Sequence, residues 1–395
     1  QGRRMDVLQI VQELRDQLVT WRRDFHMHPE LGLEEHRSAG IIAEILRGLG
    51  YRVQEGVAQT GVVGVLENGP GPVVMSRVDM DALPIQEAND VPYVSQNPGC
   101  MHACGHDAHM AIGLGVATLM AQHRDAWSGT LKLIFQPGEE GADGAALMIK
   151  DGVLEDPRPD VALAVHVWNK NPVGTFGATA GPVMAGAEFW EATITGKGGH
   201  GAMPEQTVDP VVVAALTVNA LQTVISRNVS ALDTAVVTVG ALLSGDAFNV
   251  VPDSATLRGT IRTYSLETRD TVLRRVREII EGTAQMMGAE ATLDLYPLTP
   301  ALVNDAKITS LVRDVVADLF GADALKEDVR TMGSEDAAFF LQEIPGCFIF
   351  VGSGFTDREA PAHHNAHFDI DERALVNGVA VVVESLRRLM PKDQG

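Results

Sequence analysis

The sequence predicts an α/β fold, a mostly parallel sheet covered by helices and interrupted by an inserted ferredoxin-like α+β domain. Three observations carry this. The first 180 or so residues alternate apolar, strand-like runs with helical patterns, which is the grammar of a parallel sheet buried on both faces. The stretch 184–296 reads β-α-β-β-α-β, the ferredoxin-like order. Strand and helix patterns then alternate again between 305 and 390. The expected division is 5–183 with 297–395 for one domain and 184–296 for the other. A chain of 395 residues has room for two or three domains at roughly 150 residues each.

Taken in order, MDVLQIVQELRDQL spaces its apolar residues by three and four between charges. That is an amphipathic helix, not a signal peptide. Gln1–Arg4, ahead of Met5, are set aside. GVVGVLE (61–67) and PVVMSRVD (72–79) read as strands, the second too continuously apolar for an exposed edge. Residues 107–123 form a helix rich in Ala, Leu and Met, and GTLKLIFQP (129–137) and DVALAVHVW (160–168) are further strands. In the middle, EFWEATITGK (188–197) alternates like an antiparallel strand. A helix (208–227), two strands (234–245 and 254–264), a long helix (265–287) and a last strand (289–297) follow. Ser265 opens the long helix and Gly288 closes it. Near the end come a helix (305–320), the strand CFIFVGSG (347–354) and a helix over 372–390. The last is apolar at Leu375, Val376, Val379, Val382, Val383, Leu386 and Leu389.

Composition narrows the function. Hydrophobic residues are 45% and charged residues 21%, which excludes disordered, collagen-like and disulfide-scaffold chains. Lys+Arg is 31 against Asp+Glu 52, a net charge of −21. Such a surface repels a phosphate backbone and an anionic membrane, so neither nucleic acid nor membrane is expected as a partner. No uninterrupted apolar run approaches the ~18 residues of a membrane span. Cys100, Cys104 and Cys347 make an odd count. A reducing compartment, the cytoplasm, is the expected location.

Ligand-type residues gather at the ends of the expected strands. Asp79 and Asp81 follow one strand, Glu139–Glu140 another, and His166 sits near the end of a third. HACGHDAH, ahead of helix 107–123, adds His102, Cys104, His106, Asp107 and His109, and His363, His364 and His367 follow the last strand. Open α/β sheets bind ligands beyond the carboxyl ends of their strands. A thiolate, imidazoles and carboxylates suit zinc, manganese, cobalt or nickel better than magnesium or calcium. Cys104 and His106, two apart, share a side of an extended chain. Of two adjacent glutamates, one can bind metal while the other takes a proton from water. Any one histidine of this set is more often a satisfied core residue than a ligand, and adjacent acids are common on solvated turns. The clustering distinguishes the set. His26 and His28, at the end of a helix and away from any strand end, read as structural, and Cys100 as inert.

With these residues the chain resembles the M20 metallopeptidase superfamily, and its amidohydrolase branch most closely. That branch includes hippurate hydrolases, aminoacylases, auxin-conjugate hydrolases and some carboxypeptidases. The motifs run in order as RVDMDALP, HACGHD, QPGEEG, AVHVW, GKGGHGAMP, FNVVPDSA with GTIRT, and MGSEDAAFFLQ. The resemblance implies a catalytic domain holding two divalent metal ions and a lid that dimerises. It implies metal ligands at Cys104, His106, Glu140, His166 and His364, and a general base at Glu139. It implies that His200 reaches the partner subunit's site and helps hold the carbonyl oxygen, and that Asn249 and Arg262 contact the substrate carboxylate. Ala108, Glu205 and Asn365–Ala366 depart from the residues usual in the family, and none of them replaces an implied ligand. The tandem His363–His364 leaves two neighbours for the last ligand, and aligning on Phe368 and Asp371–Glu372 favours His364.

The expected activity is metal-dependent hydrolysis of N-acyl or N-aroyl L-amino acids by a homodimer or homotetramer. A carboxypeptidase or an N-acetyl-diaminopimelate deacetylase on the same scaffold is the first rival. A non-catalytic metal-binding scaffold protein is the second, and the retained Glu139 speaks against it.

Overall fold

The computed structural model describes residues 6–392, so the Gln1–Arg4 segment set aside above lies outside them. The chain divides into two compact units. One runs up to Gly181 and includes Val303–Val329 and the chain from Asp336 on. The other is Pro182–Leu302 with Arg330–Glu335.

Through the first segment run α1 (Val7–Glu13), α2 (Arg15–Met27), α3 (His36–Gly48), β1 (Arg52–Val57), β2 (Gly61–Asn68) and β3 (Val73–Asp79). They are followed by α4 (His106–Gln122), β4 (Gly129–Gln136), α5 (Gly144–Lys150), β5 (Val161–Pro172) and β6 (Phe176–Gly177). The chain moves on through β7 (Gly181–Met184) into β8 (Gly186–Thr195), β9 (Gly199–His200), α6 (Pro210–Asn228), β10 (Ala235–Leu243) and β11 (Val250–Val251). Next come β12 (Ser254–Thr263), α7 (Leu266–Met286) and β13 (Glu290–Thr299). It returns through β14 (Leu302–Asn304) to α8 (Ala306–Phe320), β15 (Leu325–Lys326), α9 (Ala338–Glu343), β16 (Gly346–Gly354) and α10 (Arg373–Leu389).

The large sheet has the order β1-β2-β4-β3-β5-β16-β6-β15. Its centre, β4-β3-β5-β16, is parallel throughout, as the apolar continuity of those strands predicts. Every residue of β16 is buried. On the β1 side the sheet turns antiparallel, with β1 pairing β2 and β2 pairing β4. The three-residue connection Ala58–Thr60 makes that hairpin with two non-glycine residues at positive φ, Ala58 (51°) and Gln59 (73°). No Asn-Gly or Asp-Gly pair announces such a turn in the sequence. α4 is buried from His106 to Met120, which explains its apolar character all round. α10 buries Leu375, Val376, Val379, Val382, Val383 and Leu386, while Leu389 is only partly covered. Each such side chain contributes about 1.5–3 kcal/mol when fully buried.

The second unit is the ferredoxin-like arrangement, an antiparallel sheet of order β10-β12-β8-β13. Trp190, Ile194, Leu257 and Ile261 of the sheet share a core with Val213 and Leu221 of α6 and with Val272, Val276 and Ile280 of α7. Ser265 caps α7 by accepting from the Thr268 N–H, and Gly288 follows the helix at φ +78°. By length and composition alone α6 would cross a membrane. Here it is an amphipathic cover, burying Val213, Ala214, Thr217, Leu221 and Val224 against the sheet. A small ribbon, β9 with β11, has no counterpart among the expected elements. It opposes His200 to Val250.

Candidate metal centre

β3, β4 and β5 deliver their carboxyl ends to one edge of the large sheet. β3 ends at Asp79, level with Gln136 at the end of β4. The chain then turns through Pro137–Gly138 into Glu139 and Glu140. His166 lies in β5 opposite Phe350 of β16. Cys104 and His106 flank Gly105, which has φ +91° as the residue before α4. A Cβ on Gly105 would sit 2.4 Å from Val167 Cγ2, so glycine alone fits between the two ligand-type residues. His364 is brought in from the loop after β16, its N–H bonded to the Ala103 carbonyl at 2.8 Å and its backbone at φ +63°. Positive φ is uncommon for a histidine and marks a position held by its surroundings.

These residues form three overlapping groups. Cys104, His106 and His166 each offer a ligand atom within 4.8 Å of the others. So do Cys104, Glu140 and His364, and so do His106, Glu139 and Glu140. Cys104 Sγ lies 3.5 Å from His166 Nε2, and His364 Nε2 lies 3.1 Å from Glu140 Oε1. Hydrogen bonds select the free nitrogen of two imidazoles. His106 Nδ1 is 3.2 Å from Asp81 Oδ1, and His166 Nδ1 donates to the Val167 carbonyl at 2.7 Å. Both rings therefore offer Nε2, the usual way in which a metal-binding histidine is oriented. His106 Nε2 is buried without a hydrogen-bond partner. A buried polar atom left unpaired is costly, and a cation bound by this thiol, imidazole and carboxylate set would satisfy it.

The charges agree. Burial pushes the Cys104 thiol well up, and Glu140, Glu139 and Asp79 push it further. Burial opposes the charge on His106, but Asp79 and Asp81 outweigh it and raise its pKa to about 10. Burial, then His109 and His363, hold His166 well below its ordinary value, so it is neutral and able to donate its lone pair. Protons on Cys104 and His106 thus offset the carboxylates when no cation does. Metal ions would displace them.

The other histidines expected near this edge have different tasks. His109 Nε2 accepts from the Val167 N–H at 2.8 Å and its Nδ1 meets Asp79 at 2.5 Å, so neither nitrogen is free. His363 Nε2 is 3.0 Å from the Val167 carbonyl and its ring stacks on Trp168, which leaves His364 as the tandem member in the cluster. His102 is buried, with its pKa lowered to about 4 by burial, and belongs to none of the three groups. Asp79 also takes Arg77 Nη1 at 2.9 Å. Asp107 joins a buried network with Arg22 (2.8 Å) and His26 (2.7 Å), and His26 reaches Glu87 at 3.2 Å. His26 is accordingly structural. His28 is bonded to the Asp24 carbonyl within its own helix, and Cys100 lies in none of the three groups. Sequence reasoning left the roles of Asp79 and Asp107 open and gave Asp81 none either. Asp81 lies two residues beyond Asp79 in RVDMDALP, and it holds both the His106 ring and, at 2.8 Å, the Glu140 N–H.

Three expected site residues lie in the second unit. His200 is exposed on the β9–β11 ribbon. Its Nδ1 accepts from the Ala202 N–H at 3.0 Å, which leaves Nε2–H free to donate. The Asn249 carbonyl accepts from Gly201 N–H at 2.8 Å, so residues 48 positions apart become neighbours. Arg262 is half-buried on β12. It donates to Ser334 Oγ at 2.8 Å and pairs with no carboxylate among the described residues.

The chain matches the peptidase family M20/M25/M40 over residues 75–388. An IAA-amino acid hydrolase of Arabidopsis thaliana, ILR1-like 4, is 39% identical over 371 residues, 93% of this chain and 84% of the relative. An N-acetyl-L-cysteine deacetylase of Bacillus subtilis is 37% identical over 382 residues, 96% of this chain and 90% of its own. Among solved structures, a dinuclear metal-binding peptidase of the M20 family from Bacillus subtilis superposes with a TM-score of 0.84 at 32% identity. That match covers 96% of this chain and 99% of the other. Sequence, fold and site edge therefore agree that the chain belongs to the peptidase family M20/M25/M40, as a hydrolase acting on amide bonds.

Proposed function

We propose that the chain cleaves the amide of N-acyl or N-aroyl L-amino acids to a carboxylate and a free amino acid. Cys104, His106, Glu140, His166 and His364 would hold two divalent ions, with Cys104 common to two of the ligand groups. Such ions, when bound, supply Lewis acidity and lower the pKa of water towards about 7. The donor set supports zinc, manganese, cobalt or nickel. Three free thiols support a cytoplasmic setting.

The chain's own residues do the proton work. Glu139 takes a proton from the attacking water as its oxygen bonds to the substrate carbonyl carbon. It then passes that proton to the amine nitrogen as the C–N bond breaks. Asp81 and the Val167 carbonyl keep the His106 and His166 rings turned to present Nε2. The second unit acts as a lid and dimerising domain. His200 Nε2–H serves the carbonyl oxygen in the other subunit of a homodimer or homotetramer. Asn249 and Arg262 receive the substrate carboxylate, which the unpaired guanidinium of Arg262 suits.

The single observation behind this reading is the adjacent glutamate pair. Glu140 sits beside His364 and Cys104, while Glu139 meets the cluster through His106. Glu139→Gln should keep its metal and lose roughly 10²–10⁴-fold in kcat, since an amide cannot accept the proton. A nearly wild-type Glu139→Gln beside a dead, fully metallated Glu140→Gln would reverse the two roles.

A further inference from the structure

Glu35 is buried and has no basic side chain within ion-pair distance among the described residues. An isolated buried carboxylate is expensive unless its oxygens are bonded. Glu35 stands directly ahead of α3, at the N-cap position, and makes no cap bond. That task falls to Glu30, which accepts from the Arg37 N–H at 2.7 Å and the Ser38 N–H at 2.8 Å. Glu35 is turned inward instead. One of its oxygens takes the Thr60 hydroxyl and the other takes the Gly138 N–H at 2.9 Å.

Gly138 immediately precedes the glutamate pair. Its φ is +60°, and a Cβ there would meet Ala142 at 3.0 Å and Leu33 at 3.1 Å. The turn is closed by Gly141 N–H on the Glu139 carbonyl (2.7 Å) and by Gly144 N–H on the Gly138 carbonyl (3.0 Å). Asp81 takes the Glu140 N–H on the far side. The backbone on both sides of Glu139 is thus pinned by a buried carboxylate. One of these, Asp81, also serves His106. The other, Glu35, touches none of the candidate ligands, and its bonds go to this turn, to the Thr60 hydroxyl and to its own N–H.

We propose that Glu35 is a positioning residue for Glu139. Through the Gly138 N–H it sets the backbone from which the Glu139 side chain departs, and hence where the proton is taken and returned. The proposal rests on reading Glu139 as the proton carrier. Because Glu35 acts only through a hydrogen-bond acceptor at a given reach, its two conservative variants should differ. Glu35→Gln keeps the length and an accepting oxygen. Glu35→Asp keeps the charge but falls one methylene short of Gly138.

The test measures kcat, KM and bound metal for both variants, alone and combined with Glu139→Gln. Glu35→Gln should stay within about threefold of wild type. Glu35→Asp should lose about 10- to 100-fold in kcat, the scale of a misplacement near 1 Å, with KM and metal content unchanged. In the Glu139→Gln background Glu35→Asp should cost little more, because both changes remove the same proton transfer. Wild-type kcat in Glu35→Asp, metal lost in step with kcat, equal damage in both variants, or losses that multiply with Glu139→Gln would each overturn the proposal. Undiminished turnover in Glu139→Gln alone would remove the base assignment and the positioning role together. A dead Glu139→Gln beside an unaffected Glu35→Asp removes only the latter.

Discussion

Cys100 and Cys104 stand four residues apart in one loop and meet opposite surroundings. Cys104 shares its ligand groups with three imidazoles, His106, His166 and His364, and with Glu140, whereas burial, then Glu30, lifts the Cys100 thiol to about 11 and Cys100 belongs to no such group. A serine hydroxyl does not ionise near neutrality as a metal-assisted thiol does. Cys104→Ser should therefore lower metal content by elemental analysis well below that of Cys100→Ser, which should match wild type. Equal losses would erase the distinction. Arg262 invites a similar comparison between substrates. Burial lowers its pKa, and its hydrogen-bond partner is a neutral hydroxyl, so its fork is available to an incoming carboxylate. Arg262→Ala should cost roughly 2–4 kcal/mol in kcat/KM on an N-acyl amino acid, the scale for losing one partner of a desolvated charge pair. On the corresponding N-acyl amino amide it should cost far less. Equal losses on both would make Arg262 a support of its sheet.

α2 is tied to the start of α4 by a buried cluster whose charge depends on one histidine. Asp107 raises the pKa of His26 against the opposing effects of burial and Arg22, with Glu87 adding a hydrogen bond. Because the folded value lies above the unfolded one, His26 contributes stability that is fully present below about 6.5 and lost as pH rises through its folded pKa. Asp107 and Glu87 are held low despite burial, Asp107 by Arg22 and His26 and Glu87 by its bond to His26. Their contribution is present above about 4 and fades below it. The margin of wild type over His26→Asn in thermal unfolding should be widest near pH 5–6 and narrow by pH 9. A constant margin would mean that folding leaves the His26 pKa unshifted, and a margin that narrows below about pH 6.5 would mean that the folded ring stays neutral. This cluster was invisible as a unit, because its members are distant in the chain and only packing brings them together. The elements themselves were more readable. Apolar continuity exposed β3 as an interior strand and β5 and β16 as strands, and Ser265 and Gly288 marked the ends of α7. The β1–β2 hairpin was not readable, since its turn uses Ala58 and Gln59 at positive φ, and neither was the two-residue ribbon that carries His200. At the metal centre, short motifs exposed the residue types. The tautomer-setting partners were hidden where they are backbone carbonyls, which carry no sequence signal, and so was Glu35, which binds a backbone N–H.

The charge of the whole chain bears on catalysis as well. At −21 the protein repels any small anion that approaches it, and the proposed substrates are anions. Glu139 and the candidate ligand Glu140 add negative charge at the site edge, and bound cations would offset it locally. The remaining acidic residues act at longer range, where salt screens them with a Debye length near 10 Å at 0.1 M. Close pairing of a carboxylate with a half-buried Arg262 would be screened much less. Salt should therefore weaken the distant repulsion more than the local attraction. Raising ionic strength from about 0.01 to 0.15 M should increase kcat/KM for an N-acyl amino acid at fixed metal loading, mainly through a lower KM. The neutral N-acyl amino amide should respond little, since it feels neither field. If instead salt lowers kcat/KM for the anion alone, the potential at the site mouth is positive, and local cations dominate the field of the chain.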